Sequence, residues 1–338
     1  MENYNFYYNI RFGIGSRYQE DNSIRIISDR YTVQAGYILP NTAKFFLPKL
    51  LIKAEGDFFT RLRDRELTKY LNCMLDSDAI LHFTATNIVQ WLADKLYESG
   101  HLELGFQSDF AFDEKTGDQL CWILENEIAA TSKAFENFQR TQEDREAVHP
   151  LVSELKRIVD SYHHLPQFSY SVQRLSKLIA RIKQRELQEN YHRDFFDLDT
   201  SITVSMFLTK MQPFPTSAHY FLTDPEVKFL IDDFFKDPEP EPIVFPKYNV
   251  PNMISASDTM ADLLIEASKY IAQHTAEEIS LALLFLKPVQ LKNLHLLRRL
   301  VQKTIEHDER LITRSDGSHN HLKWTAVFGN LPVANALS

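Results

Sequence analysis

The sequence predicts an α/β fold with a helical insertion, and three observations predict it. Residues 4 to 39 contain short runs of aromatic and β-branched residues, which are typical of strands. Residues 79 to 83 form a short apolar run, and apolar residues recur at helical spacing after it, as in a buried strand that leads into a helix. Residues 118 to 191 keep a helical period without any strand pattern, which indicates the insertion.

Composition limits the class of protein. The chain has 338 residues, of which 44% are hydrophobic and 25% charged, as in an ordinary globular protein with a sizeable core. The net charge of −9 argues against a dominant nucleic-acid-binding surface. No apolar run reaches the length of a bilayer, and the start MENYNFYYN lacks the pattern of a signal peptide. We therefore expect a cytoplasmic protein without a membrane partner.

The first part of the chain is predicted to alternate strands and helices. Aromatic and β-branched runs predict strands over 4–12, 24–28 and 31–39, and a helix follows over 57–75. After the strand over 79–83, Thr86 is the predicted N-cap of a helix that ends near Gly100. Asn87, Asp94 and Glu98 lie along one stripe of that helix, at its polar margin.

The insertion is predicted as three helices, over 118–139, 145–163 and 169–191. The last of them carries a basic ridge at spacings of three and four, formed by Arg174, Lys177, Arg181 and Arg185. Such a ridge can contact the phosphates of a nucleic acid, and binding would then depend on salt. Alternatively, it is a solvated face that pairs with nearby acidic residues.

The rest of the chain is predicted to contain few strands. We expect strands over 202–208, 218–222 and 243–245, a helix over 224–235 and an extended, proline-rich spacer over 237–242. Helices follow over 257–273, 276–286 and 289–306, and the tail from 313 to 338 is predicted as mostly loop. In the first of these helices Asp258, Asp262 and Glu266 share one face.

Cysteine and histidine spacing gives no sign of a metal site. Cys73 and Cys121 lack a CxxC spacing and are interpreted as buried free thiols. Among the twelve histidines, His319 and His321 lie in a predicted loop without a cysteine near them in sequence, so we interpret them as solvated or capping residues. No glycine lies between Gly117 and Gly317, which excludes a glycine-rich phosphate loop from that span.

Two segments resemble a known family. The first, residues 54 to 99, has Gly-Asp-Phe ahead of a helix, a strand with a histidine, an asparagine and a helix with an aspartate. The second is ISASDTMADLLIEASKY, residues 254 to 270, which is similar to a late helix with an aspartate. The segments resemble the bacterial domain of unknown function 3800 family, and the matching residues are Gly56, Asp57, Phe58, His82, Asn87, Asp94 and Asp258.

The resemblance implies a fold and an activity. The fold would be ribonuclease-H-like, a mixed sheet flanked by helices. Its core halves would lie in residues 1–115 and 201–275, with the helical insertion in 116–200 and C-terminal helices and tail in 276–338. The activity would be that of a metal-dependent nuclease. Asp94 and Asp258 would be catalytic, and with Asp262 they would bind Mg²⁺ or Mn²⁺.

The sequence departs from the family at the first strand, where the family places a carboxylate and this chain has Phe6-Tyr7-Tyr8-Asn9. Two clamped metal ions need three or four converging carboxylates, so this site would be short of charge. The sequence thus leaves two functions open. One is a nuclease with a depleted acidic site, and the other is a non-catalytic relative that binds a protein or nucleic-acid partner. A third possibility, an unrelated helical interaction protein, would lack a sheet.

Overall fold

The structure is a computed structural model that describes residues 4–12, 30–40, 56–94, 114–141, 148–189, 214, 217–221, 251–329 and 331. Several predicted elements lie outside these residues, namely the strands over 24–28, 202–208 and 243–245, the helix over 224–235 and the proline-rich spacer.

The described residues form a five-stranded mixed sheet at the centre of the fold. Its strands are β1 (Tyr4–Phe12), β2 (Tyr31–Pro40), β3 (Ile80–Asn87), β4 (Ala218–Phe221) and β5 (Ile312–Ser315). In spatial order they are β4-β1-β2-β3-β5. β2 is antiparallel to its neighbours β1 and β3, whereas β1 pairs parallel with β4, and β3 pairs parallel with β5. This sheet, together with its helices, confirms the α/β class.

β3 is longer than predicted. It continues through Thr86 to Asn87, and the helix α3 begins only at residue 88 and is described to residue 94. Thr86 pairs with Thr32 of β2, and the side chain of Asn87 accepts a hydrogen bond from the backbone N–H of Val89 at 2.9 Å. The N-cap is therefore Asn87, and the prediction of Thr86 was wrong because strand pairing continues as far as Asn87.

The predicted helix over 57–75 is two helices, α1 (Phe58–Arg61) and α2 (Arg65–Asp76). Asp57 and Asp64 cap them, because their side chains accept hydrogen bonds from Thr60 N and Glu66 N. The break exposes backbone carbonyls between the helices, at Leu62 and Asp64, and Asn293 donates its side-chain N–H groups to both. A residue distant in sequence thus supplies the hydrogen-bond donors for the carbonyls at the break.

Three later helices follow. They are α8 (Pro251–Gln273), α9 (Ala276–Leu284) and α10 (Pro288–His307). α8 packs on β1 and β2, and α10 packs on α2 and β3. Tyr37 of β2 and Tyr70 of α2 meet between these layers with their hydroxyls 2.7 Å apart, and Tyr70 donates to the carbonyl of Ala256 in α8. The main hydrophobic core lies between this face of the sheet and these helices.

Lys303 of α10 closes the C-terminal end of α2. Its ammonium donates to four carbonyls, those of Met74, Leu75, Ser77 and Ala79, at 2.6 to 3.4 Å. The carbonyls of Met74 and Leu75 belong to the last turn of α2, which leaves them without a partner inside the helix, and those of Ser77 and Ala79 follow it. A cation there also interacts favourably with the helix dipole. Burial lowers the pKa of Lys303, and the nearby Asp78 and Asp76 oppose this effect.

We expect Lys303→Met to lower the free energy of unfolding by about 2 kcal/mol, because several carbonyls lose their donor. Urea unfolding followed by circular dichroism measures the loss. Lys292→Met, at an exposed position of the same helix, is the matched control and should change stability by less than about 0.5 kcal/mol. Equal losses in the two variants would show that the carbonyl contacts contribute nothing.

The insertion contains four described helices with a core of their own. They are α4 (Glu114–Asn126), α5 (Ile128–Thr141), α6 (Val148–Asp160) and α7 (Ser169–Glu189). The predicted helix over 118–139 is therefore divided at Glu127. Apolar side chains of α3 join this core, which includes Ile88, Val89, Leu92, Leu120, Phe135, Val152 and Leu175. Thus α3 connects the sheet to the helical insertion.

Over its described residues, 313–329 and 331, the tail is not mostly loop, and the prediction was wrong there. β5 forms at Ile312–Ser315, two 3-10 turns lie at Glu309–Leu311 and Ser318–Asn320, and the helix α11 spans His321–Phe328. α11 buries Trp324, Val327 and Phe328 in the main core. A helix this short is not stable by its own propensity, so we attribute its formation to the packing of its apolar side chains against the sheet.

Candidate functional site

The first strand and the late helix meet at Asn9 and Asp258. Asn9 lies in β1, only 6% exposed, and its amide N–H donates to the carboxylate of Asp258 in α8. One residue earlier, Ser257 donates its hydroxyl to the carbonyl of Tyr7 at 3.0 Å, which fixes α8 against β1. The structure therefore brings together the first strand and the aspartate of the late helix.

These residues do not fit two Mg²⁺ ions. A carboxylate only accepts hydrogen bonds, so Asn9 must turn its N–H group towards Asp258, and that group cannot bind a cation. The resemblance implies carboxylates at both positions, whereas the pair offers one. Asp262 follows one turn later in α8 and is partly exposed.

Asp94 lies at another part of the sheet. Asn9 is level with Ala35 and Phe83 across the strands. Asn87 at the end of β3 is therefore roughly 16 Å from Asn9 by strand geometry. Asp94 lies beyond it in α3, where it accepts a hydrogen bond from Gln90 at 2.7 Å, and Gln90 also accepts one from the backbone of Gly317. Asp94 thus belongs to the β3 and β5 side of the sheet.

The other residues of the resemblance have structural partners. Gly56 has a φ of +115°, a conformation that favours glycine, and Asp57 caps α1 directly after it. The ring of His82 is buried in β3, packs against Phe6 and has its Nε2 atom 3.3 Å from the carbonyl oxygen of Tyr7. These contacts give the three residues structural roles that need no catalysis or metal binding.

The basic ridge lies on α7. The side chain of Arg174 is partly exposed and that of Lys177 is exposed. Arg181 and Arg185 lie in the same helix, but their side chains are outside the described residues. Nucleic-acid contact by this ridge stays a prediction.

A second polar cluster lies at the carboxyl ends of β3 and β5. Its centre is Glu125 of α4, whose carboxylate accepts hydrogen bonds from Asn87 at 2.6 Å and from the ring of His319. The guanidinium of Arg30 lies 3.7 Å from the same carboxylate. Cys121, one turn before Glu125 on α4, completes the group, and one ligand atom each from Cys121, Glu125 and His319 lies within 4.8 Å of the others.

The surroundings shift the pKa values of Glu125 and Cys121 in opposite directions. Burial raises the pKa of Glu125, but the hydrogen bond and charge of His319, the charge of Arg30 and the hydrogen bond from Asn87 outweigh it and lower the pKa to about 2. Burial raises the pKa of the Cys121 thiol, and the charges of Glu125 and Asp94 add to this effect. Without a metal, Glu125 is therefore a carboxylate and Cys121 a thiol.

The loop that carries His319 is held at several points. Gly317 has a φ of +27°, and a Cβ atom there would lie 2.7 Å from Nδ1 of His319, so only glycine leaves room for the ring. The backbone N–H of Gly317 donates to Gln90, and that of Ser318 approaches Asp118 at 3.3 Å. The imidazole position is thus fixed by α3 and α4.

A buried ion pair lies immediately before the same loop in the chain. Arg314 of β5 and Asp316 are both almost fully buried, with Nη1 and Oδ1 2.7 Å apart. Asp316 also accepts hydrogen bonds from the hydroxyl of Tyr31 and the indole of Trp324. Burial raises the pKa of Asp316 to about 7, although Arg314 and these two donors lower it.

Sequence reasoning missed the cluster around Glu125. Cys121 and Glu125 are four residues apart on a helix, a spacing that the sequence displays. The third member, His319, lies almost two hundred residues later in a segment predicted as loop. It was interpreted as a solvated or capping residue, whereas its ring contacts Glu125. Only strand pairing between β3 and β5 brings the two segments together.

Comparisons with models of protein families, with curated proteins and with solved structures give no match to this chain. Among the described helices, none has both the length and the apolar composition needed to cross a bilayer.

Proposed function

We propose that the chain is a ribonuclease-H-like protein that lacks a two-metal centre and acts by binding a protein partner. The contact between Asn9 and Asp258 carries this proposal, because an amide occupies the place of a bridging carboxylate. A mixed sheet flanked by helices, with the first strand against a late helix, is the arrangement that the family resemblance implies.

Charge supports the absence of the metal centre. Two Mg²⁺ ions carry four positive charges, and protein sites offset them with several carboxylates on one cleft. Here the carboxylate of Asp258 is hydrogen-bonded to Asn9, and Asp94 lies near β3 and β5 rather than beside β1. Among the residues that the structure describes, the site therefore offers too little negative charge for two cations.

The Asn9→Asp variant tests this part of the proposal. A second carboxylate beside Asp258 should lower the free energy of unfolding by about 2 kcal/mol at pH 7, because two like charges meet in a partly buried place. Millimolar Mg²⁺ should raise the thermal midpoint of this variant and leave the parent protein unchanged. Differential scanning fluorimetry measures both effects.

The double variant Asn9→Asp with Asp258→Asn is the matched control. It exchanges the amide and the carboxylate, so it should regain most of the lost stability and lose the response to Mg²⁺. A parent protein that Mg²⁺ stabilises as strongly as it stabilises Asn9→Asp would contradict the proposal.

Exposed apolar side chains favour a protein as the partner. Large apolar residues are exposed on α9, on the segment after it and on α11, namely Leu281, Leu284, Phe285 and Leu322. α9 packs beside α11, so these residues lie on neighbouring elements. Clusters of exposed apolar residues are typical of protein interfaces, and the net charge of −9 disfavours a nucleic acid.

Phe285→Asp tests the partner surface, since Phe285 is 78% exposed and contributes little to the core. In cross-linking and affinity purification from the cells of origin, a protein held by the parent should be lost with this variant. Lys292→Asp, at another exposed position, is the control. If both variants retain the same proteins, this surface is not the interface.

A second candidate is a Mg²⁺- or Mn²⁺-dependent nuclease that uses Asp94 and Asp258. It is favoured by one observation, that Asp258 lies against the first strand, as the resemblance implies. This candidate requires cleavage of DNA or RNA that depends on Asp258.

A further inference from the structure

We propose that Cys121, Glu125 and His319 form a Zn²⁺ site at the carboxyl ends of β3 and β5. Their sulfur, oxygen and nitrogen ligand atoms lie within 4.8 Å of one another. Ligands of α/β proteins commonly bind outside the carboxyl ends of parallel strands, and β3 and β5 are such a pair. The site is distinct from the contact between Asn9 and Asp258.

The choice of zinc follows from the ligand types. Thiolate, imidazole and carboxylate together suit Zn²⁺, whereas Mg²⁺ prefers oxygen ligands alone. Three protein ligands leave a fourth tetrahedral position for water, as in zinc sites that are open to a substrate. Cys121 is fully buried, while the side chain of His319 is 24% exposed, so an ion can enter from the side of His319.

The residues around Glu125 prepare one of its oxygens for a metal. Asn87 donates to Oε1, and Arg30 lies 3.7 Å from the same atom. The other oxygen, Oε2, faces Nε2 of His319 and is approached by Asn320 at 3.4 Å. Hydrogen bonds that orient a ligating carboxylate in this way are the usual support of a metal site.

The geometry needs only a small adjustment. Zinc–ligand bonds of about 2.0 to 2.3 Å place tetrahedral ligand atoms roughly 3.3 to 3.7 Å apart. The Oε2 and Nε2 atoms share a hydrogen bond and must separate, while Sγ of Cys121 must approach by about an ångström from the 4.8 Å limit. Rotation of the His319 and Glu125 side chains supplies such movements.

Two other interpretations use part of the same cluster. A hydrogen bond between His319 and Glu125 that only fixes the loop would not need Cys121. A cysteine nucleophile would need an accessible thiol, and Cys121 is completely buried. The zinc site accounts for all three residues, and it predicts a thiolate bond that neither alternative contains.

Titration with Co²⁺ as a spectroscopic substitute for Zn²⁺ is the decisive experiment. The metal-free parent protein should bind one Co²⁺ per chain, with a near-ultraviolet thiolate-to-cobalt band and the visible bands of tetrahedral cobalt, and Zn²⁺ should displace it. A parent protein that gives no thiolate band, or that binds Co²⁺ with only octahedral spectra, overturns the proposal.

Variants assign the ligands. Cys121→Ser should remove the thiolate band, and Glu125→Gln and His319→Ala should each weaken Zn²⁺ binding at least 100-fold. Asn87→Ala, which removes the support of Glu125, should weaken it about 10- to 100-fold. Cys73→Ser and His295→Ala lie elsewhere and should leave binding unchanged. Circular dichroism of each metal-free variant checks the fold, and full binding by Glu125→Gln or His319→Ala contradicts the assignment.

Discussion

Replacing Arg314 by methionine is expected to lower the free energy of unfolding by about 3 to 5 kcal/mol at pH 9. The guanidinium of Arg314 is the cation next to the buried carboxylate of Asp316, at 2.7 Å. Methionine fills a similar volume but carries no charge, so Asp316 would have to be buried as a carboxylate without a counter-ion or keep its proton at this pH, and either state costs stability. Urea unfolding of the parent protein and the variant measures the difference.

The loss should depend on pH in a defined direction. Burial raises the pKa of Asp316 to about 7 although Arg314 lowers it, so removal of Arg314 must raise this pKa further. A raised folded-state pKa means that stability is lost as pH rises towards it. Above pH 7 the carboxyl group of the parent protein has lost its proton while that of the variant keeps it. The difference in the free energy of unfolding between the parent protein and the variant should therefore be larger at pH 9 than at pH 6.

An exposed ion pair provides the control. Arg310 pairs with Asp308 at 2.6 Å, but the side chain of Arg310 is 60% exposed. Arg310→Met should cost less than about 1 kcal/mol and show no such pH dependence. A cost for Arg314→Met that is equally small, or that is the same at pH 6 and pH 9, would contradict the role given to the buried pair.

The second large effect is expected for Trp324→Ala, which should cost about 3 to 5 kcal/mol. Trp324 is 1% exposed, stacks on Phe328 and meets Tyr31 edge to face. Its indole N–H also donates to Asp316. Removal of the ring leaves a cavity between α11 and the sheet, and thermal and urea unfolding measure the cost.

Leu322→Ala is the matched control on the same helix, since Leu322 is 67% exposed. It should change the free energy of unfolding by less than about 0.5 kcal/mol. If Trp324→Ala were as mild, α11 would not be an integral part of the core.

Local pattern was sufficient for β1, β2, β4 and several helices. β1 agrees with the prediction because six of its nine residues are aromatic or β-branched. α10 agrees within one residue at each end because Leu294, Leu297 and Val301 recur at helical spacing. In these elements the residues that produce the sequence pattern are also the ones that pack in the folded structure.

Local pattern failed where distant partners decide. The break between α1 and α2 is satisfied by Asn293, which belongs to another helix. The N-cap of α3 moved to Asn87 because β3 remains paired with β2 as far as that residue. β5 has only four residues, which is too short for a recognisable alternation, and its parallel pairing with β3 defines it.

The two sites differ in how far sequence could predict them. Asp258 was predicted as a site residue because its helix resembles the late helix of the family. Its contact with Asn9 depends on how α8 crosses β1. Cys121 and Glu125 share a helical face that the sequence displays, whereas His319 joins them only through the pairing of β3 with β5. Side chains from distant segments cannot be grouped before the topology is known.

A cleavage assay with a matched variant tests the central claim most directly. The parent protein and Asp258→Asn are incubated with single- and double-stranded DNA and RNA, in Mg²⁺ and separately in Mn²⁺, and the products are resolved on denaturing gels. We expect that neither protein cleaves any substrate above the level of a blank preparation. Cleavage by the parent protein that Asp258→Asn abolishes would contradict it and would establish a nuclease.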